Sequence, residues 1–304
     1  MKYFSMFSGI GGFELGIEKA AEGNGGSGIA PKLYSKGIKN SRNNKNKLSS
    51  TTIRGDNTCI GFSEIDKYAV QIYQRHFKEH KNYGNCRNII PDQLPDFDLL
   101  VGGFPCQSFS IAGKRGGFED TRGTLFFEIA RIVKVKRPKL LLLENVKGLL
   151  SHDKGRTFGT IHATLSDLGY ICEWQVLNSK NFGVPQNRER VFIIGHLGGI
   201  SRRAVFPIGE TIKSNFTMEK STKSISPSIT ARGAGEYYSG MILLKTKQQN
   251  GIRRLTPTEC ERLQGFPDGW TKGLSDSQRY KCLGNAVTVN VIQAIVERIM
   301  EGHL

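Results

Sequence analysis

Phe97-Asp98-Leu99-Leu100-Val101-Gly102-Gly103-Phe104-Pro105-Cys106-Gln107 is the stretch whose reading decides the fold. Phe97 to Val101 is a short apolar run of the kind that makes a buried strand. Gly-Gly and a φ-fixed proline then deliver Cys106 at the strand's carboxyl end, where open α/β sheets carry their chemistry. Leu140-Leu141-Leu142-Leu143 repeats the arrangement, with Glu144-Asn145-Val146 at its carboxyl end. Two such strands bring a thiol and a carboxyl group to one crevice. That pair suits attack on an electron-poor ring that must also be protonated.

Working outward, residues 2–7 read as a first strand, Ser8-Gly9-Ile10-Gly11-Gly12 as a tight turn, and 13–21 as a helix. A strand over 58–63 ends at Glu64, and a helix covers 67–76. Residues 121–136 are helical, with Leu125, Ile129, Ile132 and Val133 on one face and Pro138 as the stop. A helix at 157–168, strands at 171–177 and 191–194, and an amphipathic helix over 287–300 complete the series. This alternation predicts an α/β fold, a parallel sheet covered on both faces. Residues 22–56, rich in Gly, Ser, Asn and Lys, read as a basic polar insertion. Periodicity weakens again after Gly198. The chain therefore divides into a large domain, 1–197 plus 271–304, and a small domain, 198–270.

The 304 residues carry a formal charge of +16, a surplus that points to a polyanionic partner, with nucleic acid first. No apolar run approaches the ~20 residues a membrane span needs, and the start is not a signal peptide, so a cytoplasmic protein is expected. Six scattered cysteines with no C-x-x-C pair read as free thiols. His76 and His80 have i, i+4 spacing, but Phe77 stands where a zincin helix has Glu, and no metal site is expected.

The glycine turn is not G-x-G-x-x-G, and many strand–helix turns are Gly-rich for packing alone. Glu64, at the end of the second strand, nevertheless stands where dinucleotide folds hold ribose hydroxyls. Together they suggest an adenosine-containing cofactor. Cysteine is commonly a small buried hydrophobe. Cys106, however, lies in a loop ahead of Gly113-Lys114-Arg115-Gly116-Gly117, whose cations favour a thiolate and can touch phosphates. Glu144 is either a capped strand end or a carboxyl whose pKa burial raises enough to donate a proton. Of Arg188 and Arg190 in Gln186-Asn187-Arg188-Glu189-Arg190, one may be read as pairing with a carboxylate and the other as facing substrate; structural salt bridging is the alternative.

These residues resemble the cytosine-5 DNA methyltransferases of bacteria and phages, over nearly the whole chain and in order. The resemblance rests on Phe-Ser-Gly-Ile-Gly-Gly-Phe (7–13), Glu-Ile-Asp (64–66), Gly-Gly-Phe-Pro-Cys-Gln-Ser-Phe-Ser (102–110) and Glu-Asn-Val (144–146). It continues through Gln-x-Arg-x-Arg (186–190), Arg-Leu-Thr-Pro-x-Glu-Cys-x-Arg-Leu-Gln-Gly-Phe-Pro (254–267) and Gly-Asn-Ala-Val (284–287). It implies a Rossmann-like, doubly wound, mostly parallel sheet with a smaller target-recognition domain, and S-adenosyl-L-methionine as cofactor. It implies that a cytosine is flipped out of duplex DNA, that Cys106 attacks ring carbon 6, and that Glu144 protonates ring nitrogen 3. Arg190 would contact the base oxygen, and Arg188 would support the site.

By the same resemblance, Phe7, Gly9, Ile10, Gly12, Glu64, Ile65, Asn85, Cys86, Pro105, Leu125, Asn285 and Val287 would line the cofactor pocket. Gln107, Ser110, Lys114, Arg122 and Thr230 would contact DNA. A cognate restriction endonuclease acting on the same site is a candidate partner, and a monomer is expected. Three departures stand out. Asn85 replaces the usual Asp that accepts a bond from the adenine amino group. Ile65 stands where the adenine-stacking residue is often Trp. The 22–56 insertion is long. The alternatives are an RNA cytosine-5 methyltransferase on the same scaffold and a catalytically inert DNA-binding homologue. The Phe104-Pro105 pair and the basic 198–253 region favour DNA over RNA.

Overall fold

The computed structural model describes residues 1–23, 57–105, 125–198, 203–209, 226–227, 241–245 and 250–302. The insertion beyond Gly23, Cys106 with its following loop, and most of 210–249 lie outside these residues.

The strands form because their apolar residues are buried on both faces, as a helix-covered sheet requires. In chain order, β1 (Lys2–Met6) leads to α1 (Gly12–Gly23), β2 (Thr58–Ser63) to α2 (Lys67–His76), and β3 (Leu99–Gly103) to α3 (Leu125–Lys136). Then follow β4 (Leu140–Val146), α4 (Arg156–Asp167), β5 (Tyr170–Asn178), β6 (Gln186–Asn187) and β7 (Glu189–Leu197). The sheet order is β2-β1-β3-β4-β7-β5. β7 alone is antiparallel to its neighbours, so the sheet is mixed and mostly parallel. Only β7 departs from the alternation-based expectation. The chain reaches it from β5 through residues 179–188, too short a link for the helical crossover that parallel neighbours need.

Side-chain alternation splits the core in two. Met6, Leu100, Leu141 and Leu143 face α3 and α4, through Phe126, Ile129, Ile161 and Leu165. Tyr3, Leu99, Val101, Leu140 and Leu142 face α1 and the last helix, α7 (Val289–Glu301), through Phe13, Ile17, Ile292 and Ile295. Each such side chain is worth about 1.5–3 kcal/mol on burial, which makes this sheet a rigid platform for groups at its carboxyl edge.

A third cluster corrects the expected boundary of the small domain. β8 (Ser226–Pro227) pairs with β6, and β9 (Met241–Lys245) with β10 (Asn250–Arg254). Thereafter the chain returns to the large body. Leu255, Cys260, Leu263, Phe266 and Trp270 pack with Ile10, Phe62, Ile72, Tyr73 and Phe77, so residues 255–270 do not belong to a separate small unit. Trp270 stacks on His76 at 3.5 Å and donates its indole N–H to the Ile10 carbonyl at 2.9 Å. α5 (Pro257–Leu263) starts with a Thr256–Glu259 capping box, and α6 (Asp276–Asn285) follows. His80 lies beyond the end of α2 and bonds the Tyr73 hydroxyl, so the two histidines do not share a helix face.

Candidate active site

The carboxyl edge of the sheet gathers two sets of groups. The first surrounds the turn after β1. Gly9 has φ +56° and open space where a Cβ would stand, while a Cβ on Gly11 (φ +87°) would lie 2.5 Å from the Phe77 ring. The Gly9 N–H donates to Glu64 Oε2 at 2.9 Å, and the Ile65 and Asp66 N–H groups donate to Oε1, both at 2.8 Å. The Glu64 carboxylate is thus fixed against the glycine turn, with further lone pairs available to hydroxyl donors. Ser63 ties this edge to the next loop, its hydroxyl donating to the Gly84 carbonyl at 2.7 Å. Ile65 is 73% exposed, an apolar face with no protein against most of it. Asn85 is exposed, but its side-chain oxygen already accepts the Arg87 N–H at 3.1 Å as a helical cap.

An open cradle with a held carboxylate, an exposed apolar face and two glycines free of neighbours at Gly9 and Gly84 fits an adenosine-bearing cofactor. Not every expected lining residue offers a side chain to it. Ile10 and Cys86 are buried in apolar clusters, so only their main chains remain for a ligand. Phe7 is half-buried with φ 55°, Pro105 and Asn285 are exposed, and Leu125 begins α3 half-buried. Val287 is buried behind the turn, and its Cγ2 would lie 2.8 Å from a Cβ on Gly12.

The second set surrounds Glu144. Its strand runs on to Val146, so Glu144 lies within β4, in register with Gly103 of β3. A Cβ on Gly103 would stand 3.1 Å from Glu144 Oε2, which is why that position carries none. Arg190 Nε lies 3.1 Å from Glu144 Oε1, and both side chains are largely buried. Burial pushes the Glu144 carboxyl up, and the Arg190 and Arg188 charges only partly offset it. Asn145 donates to the Phe104 carbonyl at 2.9 Å, tying β4 to the residue two before Cys106. Arg188 is 2% exposed, and its Nη2 donates to the Gly284 and Ala286 carbonyls at 3.1 and 2.9 Å. Burial and the Arg190 charge lower its pKa to about 9, so it remains a cation at neutral pH.

The structure thus brings Glu144, Arg188 and Arg190 together, beside the main chain leading to Cys106. Cys106, Gln107, Ser110, Lys114, Arg122 and Thr230 lie outside the described residues. Arg190 pairs with the carboxylate, whereas Arg188 is buried and bonds carbonyls of the α6–α7 turn. Gln264, which lies inside the 254–267 motif without a role assigned to it, and Thr288 are buried beside Arg188's partners. They lie 24 positions apart, and no short stretch of sequence pairs them.

Fold and site together define a Rossmann-like methyltransferase of class I. The profile of the C-5 cytosine-specific DNA methylase family matches residues 1–227 and 198–301. Type II methyltransferase M.NgoBI of Neisseria gonorrhoeae is 39% identical, over 96% of this chain and 91% of its own. M1.ScrFI of Lactococcus lactis subsp. cremoris is 41% identical over 79% and 71%, and M.HhaI of Haemophilus parahaemolyticus 33% identical over 98% and 94%. Among solved structures, the S. pombe Dnmt2 methyltransferase superposes with a TM-score of 0.71 at 18% identity, over 99% of this chain and 98% of that one. That likeness concerns the fold alone. The chain belongs to the C-5 cytosine-specific DNA methylase family, and is a DNA (cytosine-5-)-methyltransferase.

Proposed function

We propose that the enzyme methylates carbon 5 of a cytosine flipped out of a short duplex DNA site, through a covalent bond to Cys106. The observation that carries this reading is the Glu144–Arg190 pair: a buried carboxyl with a raised pKa, held 3.1 Å from a guanidinium beside the strand that leads to Cys106.

The Cys106 thiolate forms a bond from sulfur to ring carbon 6, and the ring's electron pair is drawn toward carbon 5. Glu144 gives a proton to ring nitrogen 3, so negative charge does not accumulate on the base. Arg190 holds the carboxyl in place and faces the base oxygen. S-adenosyl-L-methionine, held by Glu64, Ile65 and the glycine turn, supplies an electrophilic methyl group for carbon 5. Loss of the carbon 5 proton to water then returns an electron pair to the ring and expels the Cys106 thiolate, and ring nitrogen 3 gives its proton back to Glu144, which restores the neutral base and the acid.

Gln107, Ser110, Lys114, Arg122 and Thr230 are proposed as DNA contacts. The packing of 255–270 moves the proposed recognition domain to about 198–254. The charge of +16 supports strong, salt-dependent DNA binding. A monomer and a partner nuclease of the same site specificity complete the proposal.

Transfer of tritiated methyl groups to duplex DNA, with bisulfite mapping of DNA from a methylation-free host, tests it. Protected cytosines confined to one short motif are expected. Tritium in transfer RNA and none in DNA would overturn the choice of substrate.

A further inference from the structure

The buried polar groups behind the site form one directed chain. Gln264, Thr288 and Ser179 are 0, 3 and 2% exposed. Thr288 donates its hydroxyl proton to Gln264 Oε1 at 2.8 Å. With that proton committed, Ser179 is the donor in the 2.8 Å contact between Ser179 Oγ and Thr288 Oγ1, its one proton shared with the Arg188 carbonyl at 3.3 Å. The Gln264 amide is thereby oriented with Nε2 toward the Leu283 carbonyl at 2.9 Å and the Ala286 carbonyl at 3.4 Å. The Ala286 carbonyl also accepts Arg188 Nη2 at 2.9 Å. Ser179 N–H donates to the Arg188 carbonyl at 3.0 Å, which closes a loop of contacts around Arg188.

The turn between α6 and α7 thus hangs on this chain, and it carries Val287. That side chain stands between the two halves of the site: its Cγ2 would lie 2.8 Å from a Cβ on Gly12, and its Cγ1 3.8 Å from one on Gly103. A turn that shifted would move the back wall of the cofactor cradle and the Arg188 guanidinium together.

We propose that Gln264 and Thr288 are positioning residues, which fix the α6–α7 turn so that the cofactor cradle and the Arg188 guanidinium are built to one geometry. This rests on the proposed cofactor site. Thr288→Val keeps shape but removes the donor, Thr288→Ser keeps the donor, and Ser179→Ala removes the chain's outer end together with its 3.3 Å contact to the Arg188 carbonyl. The full-length enzyme is assayed for S-adenosylmethionine affinity by calorimetry, single-turnover methyl transfer, duplex DNA affinity and melting temperature.

Thr288→Val should weaken cofactor affinity about tenfold and slow transfer, the scale of one lost buried hydrogen bond and the acceptor it strands. Ser179→Ala should cost about threefold, Thr288→Ser should restore near-native values, and DNA affinity should be unchanged in all three. Equal damage from Thr288→Ser and Thr288→Val would overturn the proposal in favour of packing alone. A lowered melting temperature with native cofactor affinity and rate would also overturn it. Failure of Thr288→Val to fold leaves Ser179→Ala as the deciding variant: native cofactor affinity there refutes the coupling. Absence of cofactor binding by the unmutated enzyme would instead refute the cofactor site itself.

Discussion

Glu14→Gln should flatten the pH dependence of this enzyme's stability. Glu14 sits in the first turn of α1, just past the glycine turn, and is fully buried. Neither carboxyl oxygen has a hydrogen bond of normal geometry. Burial raises its pKa from 4.5 to about 7, with the Ser5 and Tyr73 hydroxyls only partly offsetting it. The folded state therefore binds this proton more tightly than the unfolded chain does. Its contribution to stability is full below pH 4.5 and is lost as pH rises through about 7. At 1.36 kcal/mol per pH unit, the complete loss is about 3 kcal/mol, most of which falls between pH 5 and pH 8.

Gln cannot ionise, so this component vanishes in the variant. The buried amide has its own cost of about 1–3 kcal/mol if unpaired, but that cost does not vary with pH. Urea unfolding at several pH values, with and without the substitution, isolates the slope. Wild type should lose about 2–3 kcal/mol more than Glu14→Gln between pH 5 and pH 8. Parallel curves within about 0.5 kcal/mol would refute the reasoning, and would mean that the carboxyl finds partners or water once the protein is in solution.

Cys106→Ser should abolish methyl transfer and the covalent DNA adduct while DNA binding persists, as gel-shift and denaturing-gel assays would report; substantial turnover would require another nucleophile. Glu144→Gln, which leaves a poor proton donor, should slow single-turnover transfer by about 10²- to 10⁴-fold, and an unchanged rate would remove Glu144 from the chemistry. Gly12→Ala should lower stability by about 1–3 kcal/mol and weaken cofactor binding, because its new Cβ meets the Val287 methyl group; calorimetry and thermal melting check both effects.

Much of this protein was legible in the chain because its decisive segments are local. A run such as Leu140–Leu143 can be satisfied only between two helical layers, and the groups at its end follow wherever it goes. The bounds of α2 and the start of the 140–143 strand are legible to within a few residues, and the strand that leads toward Cys106 does lie beside the one that carries Glu144. The Thr256–Glu259 capping box is legible in Thr-Pro-Thr-Glu as a helix start just beyond the weakly periodic stretch. Trp270, stacked on His76 and bonded to the Ile10 carbonyl, joins Leu255, Cys260, Leu263 and Phe266 in binding the segment to the large body.

What the sequence determined by itself was the layered α/β architecture and the family, because apolar runs and short motifs act over a few residues. The tertiary structure decided the rest: the reversed direction of β7, the return of 255–270, the pairing of Arg190 with Glu144, and the loop of bonds around Arg188. Those depend on surfaces that meet across long stretches of chain, as in the 41-residue step from Asn145 back to Phe104, the 98-residue step from Arg188 to Ala286 and the 260-residue step from Trp270 back to Ile10. Such meetings are set by the summed burial of whole faces, to which no single stretch of chain holds the answer.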